Sequence, residues 1–284
     1  MEPTHYDLRV LSLGAGVQSS TVLLLALTGE LPRLDACIFA DTGWESRATY
    51  EHLTWLEHQA DDQIPIYRVS AGHLPEQVLS AVGAATASHF GQPPFFVKRS
   101  DSEARADGRK MDRGGKLWRK CTTDYKVIPI QRKLRSLLGY KPRQRIQKQV
   151  EQWIGISTDE AHRMRDSRDA WIAHRYPLID LNMSRADCES WLTRHGYPIP
   201  PKSSCLGCPM HNRAMWIAMR DHQPEEWRDT VEFDRRLRTG KLPHVTGDAY
   251  LHYRMMPLAE AVEATHPSDQ LDLFGNECEG LCGT

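Results

Sequence analysis

Short apolar runs alternate with longer amphipathic stretches over the first half of the chain. "DLRVLSLG" (7–14) is apolar, ends in glycine and reads as a buried strand. "SSTVLLLALTG" (19–29) reads as a helix closed by Gly29. "DACIFADTG" (35–43) predicts a second strand and turn, and "SRATYEHLTWLEHQA" (46–60) a helix with one apolar face. "IPIYRVSAG" (64–72) predicts a third strand, and "LPEQVLSAV" (74–82) a further helix. Strand–helix alternation at this spacing predicts an α/β fold, a doubly wound parallel sheet with helices on both faces.

The second half is less regular. Residues 99–120 have no apolar period and read as a mobile basic loop. "TTDYKVIPIQRKLRSLLG" (122–139) looks helical, with Pro129 kinking it or delaying its start. "QVEQWIGIS" (149–157) is a later strand. Ser184 is placed to cap a helix through "RADCESWLTRHG", and "RAMWIAMRDHQPEEWRDTVEFDRRLRTG" (213–240) is helical with a break near Pro224. Residues 197–209 are rich in Pro, Ser, Gly and Cys, and no internal repeat is visible. The expected organisation is a nucleotide-binding α/β domain over 1–182 and a C-terminal helical region, bearing cysteines, over 183–284.

With 284 residues, 40% of them hydrophobic, the chain can bury a substantial core. No run of about 18 apolar residues occurs, so neither a membrane-spanning helix nor a membrane partner is expected. "MEPTHYDLRVLSLG" lacks the basic stretch and apolar run of a secretory signal, which makes the cytoplasm the expected location. Seven cysteines, an odd number, in a reducing compartment favour metal or redox chemistry over a disulfide framework. The net charge of −1 hides an asymmetry: residues 98–148 carry seventeen Lys/Arg against five Asp/Glu, a net of +12. That region is either a set of solvated basic surfaces or a site for a polyanion such as nucleic acid.

The turn after the first strand carries candidate chemistry. Gly14 and Gly16 allow close backbone approach to a ligand, and Gln18, Ser19 and Ser20 then open a helix whose free N–H groups favour an anion. Ser12 adds a hydroxyl, and the turn lacks the lysine of a Walker loop. The second strand ends in Asp41, Thr42 and Gly43, where a doubly wound sheet places ligands; Asp41 is suited to accept from a ribose or adenine group. Trp44 beside them reads as a packing residue first and as a flank of a nucleotide second.

"SLGAGVQSSTVLL" followed by "FADTGWESRATYEHL" resembles the PP-loop ATP pyrophosphatases, and within them the phosphoadenylylsulfate (PAPS) reductase-like branch. The family loop reads S-G-G-x-D-S; here Gly14 stands at its first serine and Gln18 at its aspartate. The resemblance implies a PP-loop/HUP-like fold and binding of ATP, with Mg2+ a possible companion that Gln18 cannot help to hold as a carboxylate would. "WRKCTTDYKVIPIQRKL" resembles the reductase segment C-C-x-x-x-K-x-x-P, which matches Cys121, Lys126 and Pro129, with Thr122 at the second cysteine. Lys126, with Arg119 and Lys120, is then the candidate for stabilising a polyphosphate or sulfate. Cys205 and Cys208 form a C-x-x-C whose spacing from Cys121 is similar to that of iron–sulfur adenylylsulfate (APS) reductases and DNA-phosphorothioation sulfurtransferases.

Soft thiolates at that spacing suit a 4Fe–4S cluster held by Cys121, Cys205 and Cys208, with Cys278, Cys282 or an open iron in fourth place. The alternative is structural zinc, with His211 or a tail cysteine as fourth ligand. "NECEGLCGT" is similar to the E-C-G-L-H ending of APS/PAPS reductases, which makes Cys278 and Cys282 candidate catalytic thiols. Cys37 and Cys188 read as inert core residues, and Asp159, Glu160 and Arg163 as further candidates for binding nucleotide or substrate.

Three functions follow as expectations. The first is an ATP-dependent sulfurtransferase, a transferase that adenylates an acceptor such as nucleic acid and inserts sulfur from a donor. The second is an APS/PAPS reductase, an oxidoreductase that uses a tail cysteine and a thiol reductant to release sulfite. The third is a non-catalytic nucleotide-binding component of a complex.

Overall fold

A computed structural model describes residues 5–84, 91–100 and 114–264. They form two compact units, each built from separate stretches of chain. The first unit comprises 5–71 and 123–204, the second 72–122 and 205–264 within the described residues. This division differs from the 1–182 and 183–284 expectation. The stretch 72–122 leaves the first unit before its sheet is complete, and 123–204 returns to finish it.

In the first unit, β1 (Leu8–Leu13), β2 (Ala36–Asp41), β3 (Ile66–Ser70), β6 (Val150–Ile154) and β7 (Ile172–Arg175) make a parallel sheet in the order β3-β2-β1-β6-β7. The fold class expected from sequence is the one observed. Alternation along the strands serves both faces. Leu11, Leu13, Cys37, Phe39 and Trp153 enter one core, shared with α1 (Val17–Leu27), α2 (Arg47–Ala60) and α6 (Arg185–Arg194). Val10, Ala36, Ile38, Ala40 and Val150 enter the other, shared with α4 (Ile128–Leu137). Helix α1 is buried from Val17 to Ala26 on all sides, which explains the unbroken apolar run Val22–Leu27; the polar residues Gln18–Thr21 of its first turns are buried too.

Local signals account for the element ends. Ser46 caps α2 by accepting from the Thr49 amide, and Ser184 caps α6 in a reciprocal box with Asp187. Gly29 sits at φ 82°, the left-handed conformation that ends a helix without a Cβ penalty. Pro129 does not kink α4. It lies in its first turn, where a missing N–H costs nothing, and a π-helical segment Thr123–Val127 precedes it. A short helix α5 (Pro177–Asp180) links β7 to α6.

The second unit contains α3 (Leu74–Ala81), α7 (Arg213–His222), α8 (Pro224–Leu237) and α9 (Leu258–Glu263). Its antiparallel sheet has the order β5-β4-β8, formed by β4 (Phe96–Lys98), β5 (Gly114–Lys116) and β8 (Asp248–Tyr250). The break between α7 and α8 falls at Pro224, as expected. Asp234 is fully buried and organises this unit: its carboxylate accepts from the Leu251 amide at 3.2 Å and the Leu258 amide at 3.0 Å, and pairs with Arg238 at 3.0 Å. The expected loop over 99–120 is corrected at Gly114–Lys116, which pairs with β4 as a strand; 101–113 lie outside the described residues. No helix among the described residues is long and apolar enough to cross a membrane.

Candidate functional site

The order β3-β2-β1-β6-β7 reverses direction beside β1, because the chain winds outward through β2 and β3 and then returns to β6 on the opposite side. A crevice opens at the carboxyl ends of strands at such a switch point. There the first unit holds a pocket lined by Ser12, Gly14, Gly16, Val17, Gln18, Ser19, Gly155, Arg185, Lys202 and Ser203. The space is about 340 Å³, counting the part open to solvent.

The turn between β1 and α1 forms one wall. Ala15 is fully buried at φ 56°, a left-handed conformation that swings the backbone tightly from strand to helix. The Gly14 amide donates to Ser19 Oγ at 3.1 Å, and Ser203 Oγ donates to the Gly14 carbonyl, so the turn is pinned from both sides. The first backbone bond of α1 runs from the Ser20 amide to the Gly16 carbonyl at 3.0 Å, and no side chain caps the helix. Its leading amides and dipole therefore face the pocket mouth, where they favour an anion.

Gly155, just beyond β6, brings the second wall close. A Cβ there would lie 2.8 Å from the Ser19 nitrogen and 2.9 Å from its Cα, so only glycine fits. Positive charge comes from Arg185 at the start of α6 and from Lys202. Arg185 Nη1 donates to Gln18 Oε1 at 3.3 Å, and its backbone amide donates to both oxygens of Asp159 at 3.1 and 3.2 Å. Gln18 Nε2 donates to Ser157 Oγ at 3.4 Å and to Glu160 Oε2 at 3.3 Å, while Arg163 pairs with Glu160 at 2.7 Å. Gln18 is thus tied to a buried carboxylate, Glu160, from another element.

Of the sequence candidates, Ser12, Gly14, Gly16, Gln18 and Ser19 come together in this pocket. Ser20 does not. It is fully buried and hydrogen-bonded to His52 Nε2 at 3.0 Å, because one step along a helix turns the side chain by about 100°. Burial lowers the His52 pKa to about 4, so the pair is neutral at ordinary pH.

Asp41, Thr42 and Gly43 line a structural turn and not this pocket. Asp41 Oδ1 accepts from the Gly43 amide and from Tyr50 Oη, both at 2.7 Å, and Thr42 Oγ1 donates to Glu45 at 3.2 Å. Burial, then the bond to Asp41, pushes the Tyr50 phenol above its ordinary pKa. Lys126 pairs with the buried Glu45 at 3.6 Å, which holds the π-helical segment against this turn. Trp44 is buried, in line with packing.

The cysteines divide as follows. Cys37 and Cys188 are fully buried in the core, and burial pushes the Cys188 thiol up to about 12, which makes it a poor nucleophile. Cys121, Cys205 and Cys208 belong to the second unit, with the Cys208 amide donating to the Cys205 carbonyl at 3.0 Å. Among the described residues no group of three or more His, Cys, Asp or Glu is gathered as a metal ion requires. Cys278 and Cys282 lie outside the described residues.

Sequence reasoning missed Arg185, Lys202, Ser203 and Gly155. The local signals existed: a Lys-Ser-Ser run before the C-x-x-C, and a glycine ending an apolar strand. Only the fold shows that both reach the same turn.

Fold and site together define an α/β protein with a polar pocket, lined by Arg185 and Lys202, at its switch point. No family model and no curated protein matches the chain. Among solved structures it is similar to a phosphoadenylyl-sulfate (PAPS) reductase from Candida auris, determined as a phosphate complex. The identity is 15%, over 69% of this chain and 76% of that one, with a TM-score of 0.39.

Proposed function

We propose that this chain is an enzyme of the PAPS reductase-like branch of the PP-loop proteins and that it binds an adenine nucleotide by its phosphates at the β1–α1 turn. The observation that carries the reading is one pocket lined by Ser12, Gly14, Gly16, Ser19, Arg185 and Lys202. Backbone amides, hydroxyls and two cations make a donor set for a polyphosphate that needs no Walker lysine.

The reaction proposed is ATP-dependent sulfur transfer. An oxygen of the acceptor attacks the α-phosphorus, the bond to the β-phosphate oxygen breaks, and pyrophosphate leaves. Hydrosulfide supplied by the donor then attacks the acceptor atom that bears the adenylated oxygen; the bond to sulfur forms as the bond to that oxygen breaks, and AMP leaves carrying it. Arg185, Lys202 and the α1 amides hold the phosphates and stabilise the charge that grows on departing pyrophosphate. Gln18, fixed between Arg185 and Glu160, shapes this wall. No step is assigned to Mg2+, zinc or an iron–sulfur cluster; Cys121, Cys205 and Cys208 are the residues that would hold a cluster. The cluster stands as an expectation of the cysteine motif, tested by iron and sulfide analysis of anaerobically purified protein.

The activity test is to incubate the protein with ATP, a sulfur donor and candidate acceptors, and to separate the nucleotides. AMP and pyrophosphate appearing together support the reading. Sulfite released from APS or PAPS, with ATP untouched, would replace it with the reductase alternative.

A further inference from the structure

Trp118 is 85% exposed, whereas Trp44, Trp153, Trp191 and Trp216 are buried. A single exposed ring needs no explanation by itself; what sets Trp118 apart is the fastened, cationic segment that carries it. The Leu117 amide donates to the Phe95 carbonyl at 2.9 Å, and the Lys120 amide donates to the Gln92 carbonyl at 2.9 Å. Gln92 Nε2 donates to the Trp118 carbonyl at 3.1 Å. The backbone is therefore tied down on both sides of the ring, continuing the β4–β5 pairing in which Lys116 lies opposite Phe96.

The two segments that frame the ring contribute charge of one sign. Residues 91–100 and 114–122 contain five Lys/Arg and no Asp/Glu. Lys98, Lys116, Arg119 and Lys120 are exposed, and Arg99 is half-buried. The β8 register sets Asp248 opposite Lys98, so the net positive strip is strongest along 116–120. An exposed flat ring between cations matches a chain of alternating phosphates and open base faces. A duplex hides those faces, and a bare polyanion has none.

We infer that Trp118, with Lys116, Arg119 and Lys120, is a docking strip for single-stranded nucleic acid, the ring stacking on a base and the cations meeting the flanking phosphates. The inference deepens the proposed function by naming the class of acceptor, and it uses none of the residues of the anion pocket.

The test is fluorescence anisotropy with labelled oligothymidine and oligouridine of about twelve nucleotides, within the site sizes such surfaces cover. Saturable binding is expected, with log K falling against log salt at a slope of about −2 for three phosphate contacts. Trp118→Ala should weaken binding by roughly 5- to 150-fold, the range of one lost stacking contact. Trp118→Phe should stay within a few-fold of wild type, and both variants should keep the wild-type melting temperature. Inorganic polyphosphate should bind wild type and Trp118→Ala alike. No binding of either oligonucleotide, an unchanged affinity in Trp118→Ala, or a preference for duplex would overturn the inference. ATP binding, measured on the same samples, separates the two readings. Oligonucleotide binding without ATP binding removes the nucleotide site and leaves the strip, and the reverse removes the strip alone.

Discussion

The position a Cβ would take on Gly155 lies 2.8 Å from the backbone nitrogen of Ser19, so the end of β6 and the first turn of α1 touch main chain to main chain. That contact sets the width of the pocket at the β1–α1 turn. A methyl group at Gly155 forces one of two backbone segments to move, and neither neighbour is a flexible side-chain tip.

Gly155→Ala should accordingly lower ATP affinity at least tenfold and destabilise the protein by about 1–3 kcal/mol. Gly115→Ala is the control, since a Cβ there meets nothing within 4 Å. Calorimetric titration and thermal unfolding of both variants check the pair. Equal behaviour would show that the Gly155 contact does not shape the site.

The two adjacent serines should separate cleanly. Ser19 lines the pocket, whereas Ser20 is buried against His52. Ser19→Ala should weaken phosphate or ATP binding by several-fold, and it should also cost about 1 kcal/mol of stability because the Gly14 amide loses its acceptor. Ser20→Ala should cost about 1–2 kcal/mol of stability, the penalty for orphaning a buried hydrogen-bond partner, and leave affinity unchanged. Urea unfolding and ligand titration of both variants decide this.

Both the fold and part of the site were legible in the sequence, for reasons that differ by residue. β1, β2 and β6 are buried strands, so their apolar runs announce them. β7 is hard to read because its apolar run, Ala170–Ala173, is only four residues long and gives way to His174 and Arg175 within the strand. The turn Gly14–Ser19 is local and could be read directly. Arg185 and Lys202 reach it from more than 160 residues away, which no spacing rule reveals. Ser20 resembles Ser19 as a letter and differs from it by one helical step. The compact units were illegible because unit membership depends on where the chain returns, and Gly72 and Pro75 at the boundary look like an ordinary strand-to-helix turn.

His52 makes stability depend on pH. Its pKa is depressed from 6.5 to about 4 by burial, so the folded state holds it neutral while the unfolded chain takes up a proton. Its contribution is fully present above pH 6.5 and is lost as pH falls toward 4, by up to about 3 kcal/mol. His52→Gln should unfold with a smaller difference in stability between pH 7 and pH 4.5 than wild type. An identical difference in both proteins would contradict the assignment.

The central claim is that the β1–α1 pocket holds the phosphates of an adenine nucleotide, with charge supplied by Arg185 and Lys202. Isothermal titration of ATP into wild type and the Arg185→Ala, Lys202→Ala double variant, with pyrophosphate as competitor, tests it most directly. The account predicts one site per chain on wild type, displaced by pyrophosphate, and a loss of affinity of at least about 100-fold in the variant, as expected for two charge-assisted contacts. ATP that fails to bind wild type, or that binds the folded variant equally well, would contradict it.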